Sequence, residues 1–101
     1  MYGTIARFRI KPGRKDEFIK TMDSFGDAFI PGWVADYYFQ MDRDSDEFYL
    51  VAFFEDKETY MANADSTEQH ERYVIFRSFL ENDPDWHDGF IRSSTGPGAV
   101  K

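Results

Sequence analysis

The sequence predicts an α+β fold in which one antiparallel sheet of four strands carries its helices on one side. Three observations predict it. Phe48 to Phe54 is an unbroken run of seven apolar or aromatic residues, and a strand half exposed to water would alternate instead, so both faces of this one need cover. Phe18, Met22, Phe25 and Phe29 recur at spacings of four, three and four, which places them on one stripe of a helix. Breaks at Lys11-Pro12-Gly13, Pro31-Gly32 and Asn82-Asp83-Pro84 divide the chain into units of the right length.

The first strand spans residues 2–10. Tyr2, Thr4, Ala6, Phe8 and Ile10 make one mostly apolar face and Gly3, Ile5, Arg7 and Arg9 the other, because successive side chains alternate across a strand. It ends where Pro12 removes a ladder donor and Gly13 permits the turn. A helix follows over 14–28, with Gly26 marking an early end. Residues 33–41 form a second strand, aromatic-rich as a pleated surface favours, with Trp33, Ala35, Tyr37, Phe39 and Met41 on one face and Val34, Asp36, Tyr38 and Gln40 on the other. The polar link DRDSDE returns the chain into the strand at 48–55, making an antiparallel hairpin. Asp56 caps a short helix to Ala64. Ser66 and Gln69 form an S-x-x-Q start for a helix to about Glu81, with Tyr73, Phe76 and Leu80 as its stripe, widened by Val74 and Phe79. Residues 86–92 are the fourth strand. Residues 1–92 form one domain and 93–101 a flexible tail.

The order βαββαβ is the split arrangement called ferredoxin-like. Right-handed crossovers put the first and third strands at its centre. The apolar third strand therefore falls where topology wants it, and a second copy of the chain is the simplest cover for its open face.

Composition excludes several classes of function. Twelve Lys plus Arg against 19 Asp plus Glu give a formal charge of −7, so a nucleic-acid backbone or an anionic membrane is repelled. The absence of cysteine removes disulfides, thiolate metal sites and a Cys nucleophile. No apolar run approaches the roughly 18 residues that span a bilayer, and no leader pattern opens the chain, so a cytoplasmic protein is expected. Nineteen of the 101 residues are Phe, Tyr or Trp, a load that must be buried in a core, a pocket or an interface.

The segment TIARFRIKPG followed by RKDEFIKTM resembles the antibiotic biosynthesis monooxygenase family. The likeness runs on through Pro31-Gly32-Trp33, FYLVAFFEDKETY and the STEQH start of the last helix, over about residues 3–91. It implies a homodimeric α+β barrel of two four-stranded sheets packed face to face. Activities implied by the resemblance are cofactor-free oxygenation of polycyclic aromatic compounds and oxidative opening of haem. His70 matches the helix histidine that holds iron in the haem-degrading branch, whereas Phe54 stands where that branch has Trp, and the family's strand-one Asn falls near Ala6.

Among individual residues, His70-Glu71 begins an H-E-x-x-H pattern that fails at Val74. His70 is then either a pocket base or iron ligand, or a partly exposed, hydrogen-bonded side chain. His87 lies between Trp86 and Asp88. Asp42, Asp44 and Asp46 imitate a calcium loop, but Glu47 stands where that loop needs glycine, so no metal is expected. Arg9 is expected beside Glu47 across the sheet, as an ion pair or as an anchor for a substrate carboxylate. Phe8, Tyr37, Phe39, Phe54, Tyr73 and Phe76 are expected to face the helices, as core or as the lining of a cavity beside the small residues Ala6 and Ala52. A cofactor-independent oxygenase needs only a dry pocket that binds an electron-rich substrate and stabilises its anion. Tyr37, Tyr73 and His70 have the polarity for that catalysis, and Ala6, Phe8, Phe54 and Phe76 are the expected ligand-pocket residues. The expected function is binding of a small aromatic or apolar molecule, with oxygenation of a hydroxyarene. The alternatives are a non-catalytic dimeric ligand-binding or interaction module, and haem binding through His70.

Overall fold

The computed structural model describes residues 1–99; the last two residues of the expected tail, 100 and 101, lie outside them. The chain runs β1 (Tyr2–Arg9), α1 (Lys15–Ser24), a 3-10 turn (Phe25–Asp27), β2 (Trp33–Gln40), β3 (Glu47–Phe54), α2 (Lys57–Ala64), α3 (Thr67–Ser78) and β4 (Asp85–Phe90). The sheet order is β2-β3-β1-β4 and every pairing is antiparallel. This is the ferredoxin-like arrangement, with β1 and β3 at the centre as topology requires. Among the described residues no helix is long and apolar enough to cross a membrane.

Local chemistry sets the element ends. The Asp56 carboxylate accepts a hydrogen bond from the Thr59 backbone N–H at 2.8 Å, and Ser66 Oγ accepts from Gln69 N–H at 3.1 Å, so α2 and α3 both start on a capped turn. Only half of the expected reciprocal box forms, because the Gln69 side chain accepts from Arg72 instead. Gly32 lies at φ +77°, and a Cβ there would meet Thr59 Oγ1 at 2.3 Å; the backbone can therefore pass α2 only as glycine.

The even face of β1 packs on the helices with Phe48, Leu50, Ala52 and Phe54 of β3. At one end of this face Phe8, Ile10, Phe18, Phe48, Phe76, Phe79 and Leu80 make a closed core. Half of its ring pairs meet edge-on, as Phe8 on Phe76 at 5.1 Å and Phe18 on Phe48 at 5.8 Å, a geometry that aromatic quadrupoles favour.

Three expectations are corrected. Helix α1 ends at Ser24, so the stripe stops with it: Phe18 and Met22 are buried, but Phe29 is 91 % exposed. In α3, Val74 is exposed and does not widen the buried stripe. A bulge between Trp33 and Ala35 shifts β2 by one residue, which carries every later side chain to the opposite face. Tyr37 and Phe39 consequently point away from the helices, opposite Val51 and Tyr49, while Asp36 and Tyr38 point toward them, opposite Ala52 and Leu50.

The outer face of the sheet carries Ile5, Tyr37 and Phe39, each about half exposed, with half-buried Tyr49 and Val51 between them. Arg9 lies opposite Glu47 in the register as expected, but the ion pair to Glu47 is made by Arg7, its Nε donating at 2.7 Å. Arg9 instead meets Asp44 and Glu81, which reach it from the hairpin link and from the end of α3.

Candidate functional site

A pocket of about 670 Å³ opens at the other end of the helix-facing side, between the sheet, α1, α2 and α3. Its origin is a row of the sheet short of bulk. Reading across the strands, Asp36, Ala52, Thr4 and Asp88 are register neighbours. The rows on either side, Trp33-Phe54-Tyr2-Phe90 and Tyr38-Leu50-Ala6-Trp86, carry large rings. Phe25, Trp33, Phe54, Tyr73, Phe76 and Trp86 supply aromatic walls, with Trp86 6.4 Å from both Tyr73 and Phe76.

The polar groups stand in two places. On β2, Asp36 Oδ1 accepts the Trp33 indole N–H at 2.9 Å. Asp36 is exposed at the pocket mouth, yet the walls crowded around it take hydration from its carboxyl and raise it above the usual range, which the Trp33 donor and then the Arg72 charge oppose. Arg72 is held for this task by Gln69 Oε1 at 3.1 Å and Asn63 Oδ1 at 3.3 Å. Burial likewise raises the Tyr38 phenol, aided by Asp36 and Asp23. Across the pocket, Tyr60 donates its hydroxyl to Asp88 Oδ1 at 3.1 Å. Burial, with the Asp88 charge second, pushes the Tyr60 phenol up to about 12. The Thr4 hydroxyl lies near enough to oppose that rise, yet it is buried with no hydrogen bond of normal geometry.

The structure gathers some of the residues anticipated from sequence and disperses others. His70, Tyr73, Phe54 and Phe76 all line the pocket, His70 at its exposed rim. Ala6 and Phe8 lie in the closed core beneath and beside it, and Ala52 supplies the open floor. Tyr37 is on the other face of the sheet, stacked on Phe53 at 6.2 Å and bordering a second hollow with Met1, Ile91 and the segment after it. His87 also faces outward, 3.1 Å from Asp85, so the two histidines sit on opposite sides and form no pair. Among the described residues no group of three or more His, Asp or Glu is placed to hold a metal ion.

Sequence reasoning missed Asp36, Arg72, Tyr60 and Asp88. Asp36 was hidden by the bulge, since strict alternation from Trp33 sends it outward. The other three carry no local signal beyond facing the same way as Tyr73, Ala64 and Trp86.

A family model described as antibiotic biosynthesis monooxygenase matches residues 1–77. Solved structures agree with the fold at low identity. One is a Chloroflexus aurantiacus protein assigned as an antibiotic biosynthesis monooxygenase, 20 % identical over 96 % of this chain and 98 % of its own, with a TM-score of 0.76. Another is SnoaB, a cofactor-independent oxygenase from Streptomyces nogalater, 17 % identical over 95 % of this chain and 96 % of its own, at 0.72. A conserved protein from Methanosarcina mazei is 13 % identical over 87 % of this chain and 89 % of its own, at 0.74. No curated protein matches the chain.

Proposed function

The chain belongs to the antibiotic biosynthesis monooxygenase family, and from that premise we propose that it binds a flat hydroxyarene in the pocket and oxygenates it without a cofactor. The observation that carries this reading is a carboxylate of raised basicity, Asp36, set into an aromatic-walled pocket beside a fixed cation, Arg72. Asp36 removes the arene hydroxyl proton, as a carboxylate made more basic than a free one by its surroundings. Arg72 favours the arenolate that forms. The electron-rich ring then transfers an electron to dioxygen, the radical pair closes a C–O bond, and the peroxide loses water. Atoms balance as hydroxyarene plus O₂ giving quinone plus H₂O. Tyr73 and Trp86 hold the ring plane, and Asp36 passes the proton on to solvent at the pocket mouth, where His70 also stands.

The assembly belongs to the same reading. A second copy covers the outer sheet face, where Ile5, Tyr37 and Phe39 are otherwise left half wet, and this makes the α+β barrel. Haem fits the lining poorly. Asp23, Asp36 and Asp88 face the pocket against Arg72 as the one Arg or Lys among the lining residues, and two propionates would be repelled there.

The test is oxygen uptake together with quinone absorbance across a panel of naphthols and anthrones. Uptake with one quinone formed per O₂ is expected, falling at least 100-fold in Asp36→Asn and by less in His70→Ala. No uptake with any member of the panel, or an Asp36→Asn variant as fast as the parent, overturns the assignment.

A further inference from the structure

Two poles of the pocket have one design. Asp36 on β2 and Asp88 on β4 lie in the same row, on the same face, at the two edges of the sheet. Each accepts one hydrogen bond from an aromatic donor of the wall, Trp33 or Tyr60, and the second carboxylate oxygen of each accepts none among the described residues. Between them lie Ala52, too small to fill the floor, and Thr4. Thr4 is only 5 % exposed and lines the pocket, and its hydroxyl, though near Tyr60, is the one buried side-chain polar atom among the described residues that makes no hydrogen bond of normal geometry. An orphan hydroxyl lowers stability and persists where something else uses it. A χ1 rotation by one staggered step carries the hydroxyl into the place of the methyl and the methyl into that of the hydrogen, which is the only change a ligand at this point of the pocket would need.

We propose that Thr4 and Asp88 form a second anchoring site, which selects an uncharged, elongated arene carrying hydroxyl groups at both ends. This rests on the arene-oxygenase reading of the same pocket and adds the class of substrate. The near hydroxyl meets Asp36, where the chemistry starts. The far hydroxyl donates to the free oxygen of Asp88 and accepts from Thr4. Three strand spacings of about 4.8 Å separate Asp36 from Asp88 by about 14 Å along the sheet. Removing a hydrogen bond of about 2.8 Å at each end leaves about 8–9 Å between the two ligand oxygens. That is the span of hydroxyls at opposite ends of two or three fused rings. Charge sets the other half of the selection: with Asp23, Asp36 and Asp88 against Arg72, a carboxylated arene is disfavoured.

Three matched probes test this by anaerobic calorimetry at neutral pH: 2,6-dihydroxynaphthalene, 2-hydroxynaphthalene and 6-hydroxy-2-naphthoic acid. The parent protein binds the diol about fivefold or more tighter than the mono-ol, the worth of one net hydrogen bond, and binds the acid weakest. Thr4→Val brings the diol to the affinity of the mono-ol, leaves the mono-ol unchanged, and raises Tm because the orphan is gone. A merely structural Thr4 would give the higher Tm with no change in the diol. Asp88→Asn strengthens the acid. Equal effects of Thr4→Val on diol and mono-ol, no effect on either, or an acid bound as tightly as the diol overturns the second anchor while leaving the arene site standing. Failure of all three probes to bind overturns both.

Discussion

On the proposed pairing of two copies through the outer sheet face, replacing Ile5 by Lys is expected to separate them while each stays folded. Ile5 sits on central strand β1, on the face away from the helices, and is 51 % exposed. Full burial of an isoleucine contributes about 1.5–3 kcal/mol, so the exposed half offers about 1 kcal/mol to a partner. A twofold interface counts it twice. Loss of about 2 kcal/mol is about a 30-fold rise in Kd. That figure is a floor, because the new ammonium stands beside Arg7, two residues along on the same face, and would be desolvated next to a like charge. Sedimentation equilibrium over a range of concentrations measures the Kd, and far-ultraviolet circular dichroism verifies the fold. A parent protein that stays monomeric at all micromolar concentrations, or a variant whose Kd matches the parent's, would refute the reasoning that this face seeks a second copy.

The remaining predictions concern stability. The Asp36 carboxyl is raised in the folded chain, so the folded state binds its proton more tightly than the unfolded one, and the associated stability is present at low pH and lost as pH rises through the folded value. Asp36→Asn should therefore melt higher than the parent at pH 7, with the difference closing below the ordinary carboxylate range; a gap independent of pH in scanning calorimetry would contradict this. Ser66→Ala removes the cap of α3 and should cost about 1 kcal/mol, or about 4–8 °C in Tm for a chain of this size; an unchanged Tm would show the cap to be idle. Phe18→Ala, at a fully buried ring, should cost about 3–5 kcal/mol by urea titration, and a loss below about 1 kcal/mol would mean that the core collapses onto the gap.

The architecture was legible because its signals are local and agree with one another. Pro12-Gly13 and Pro31-Gly32 cut the chain where strands end or begin, and the apolar run of β3 matches a strand central in the sheet. What escaped was set by single residues that break a period. Val34 adds one position to β2 and reverses the facing of Asp36 and Tyr37. Nothing in WVADYY announces a bulge, since either alternation places aromatic residues on both sides. Helix α1 tightens into a 3-10 turn at Phe25, so the four-residue step to Phe29 no longer lands on the core. His70 drew notice through the family pattern alone, and its place at the pocket rim is set by the packing of α3 on the sheet. The Asp36 and Asp88 poles were not legible, because they are made by register across four strands and by donors, Trp33 and Tyr60, that are remote in sequence or hidden behind the same bulge.

The two ends of the helix-facing sheet surface thus divide the work of the chain. At the Phe18 end, buried rings interlock and polar groups such as Tyr38 and Arg14 enter only at the margin, so removing volume lowers stability. At the pocket end, the row Asp36-Ala52-Thr4-Asp88 leaves volume unfilled, desolvates a carboxylate and strands a hydroxyl, each of which opposes folding. Changes that relieve these costs should therefore make a sturdier protein that turns over less, as Asp36→Asn, or loses its preference for the diol, as Thr4→Val, the trade expected when a site is built from groups the fold alone would not choose. The pattern separates use from accident. A pocket left by careless packing would lose nothing in ligand affinity when its strained groups are replaced, whereas a pocket shaped for an arene gains stability and loses affinity in the same substitution.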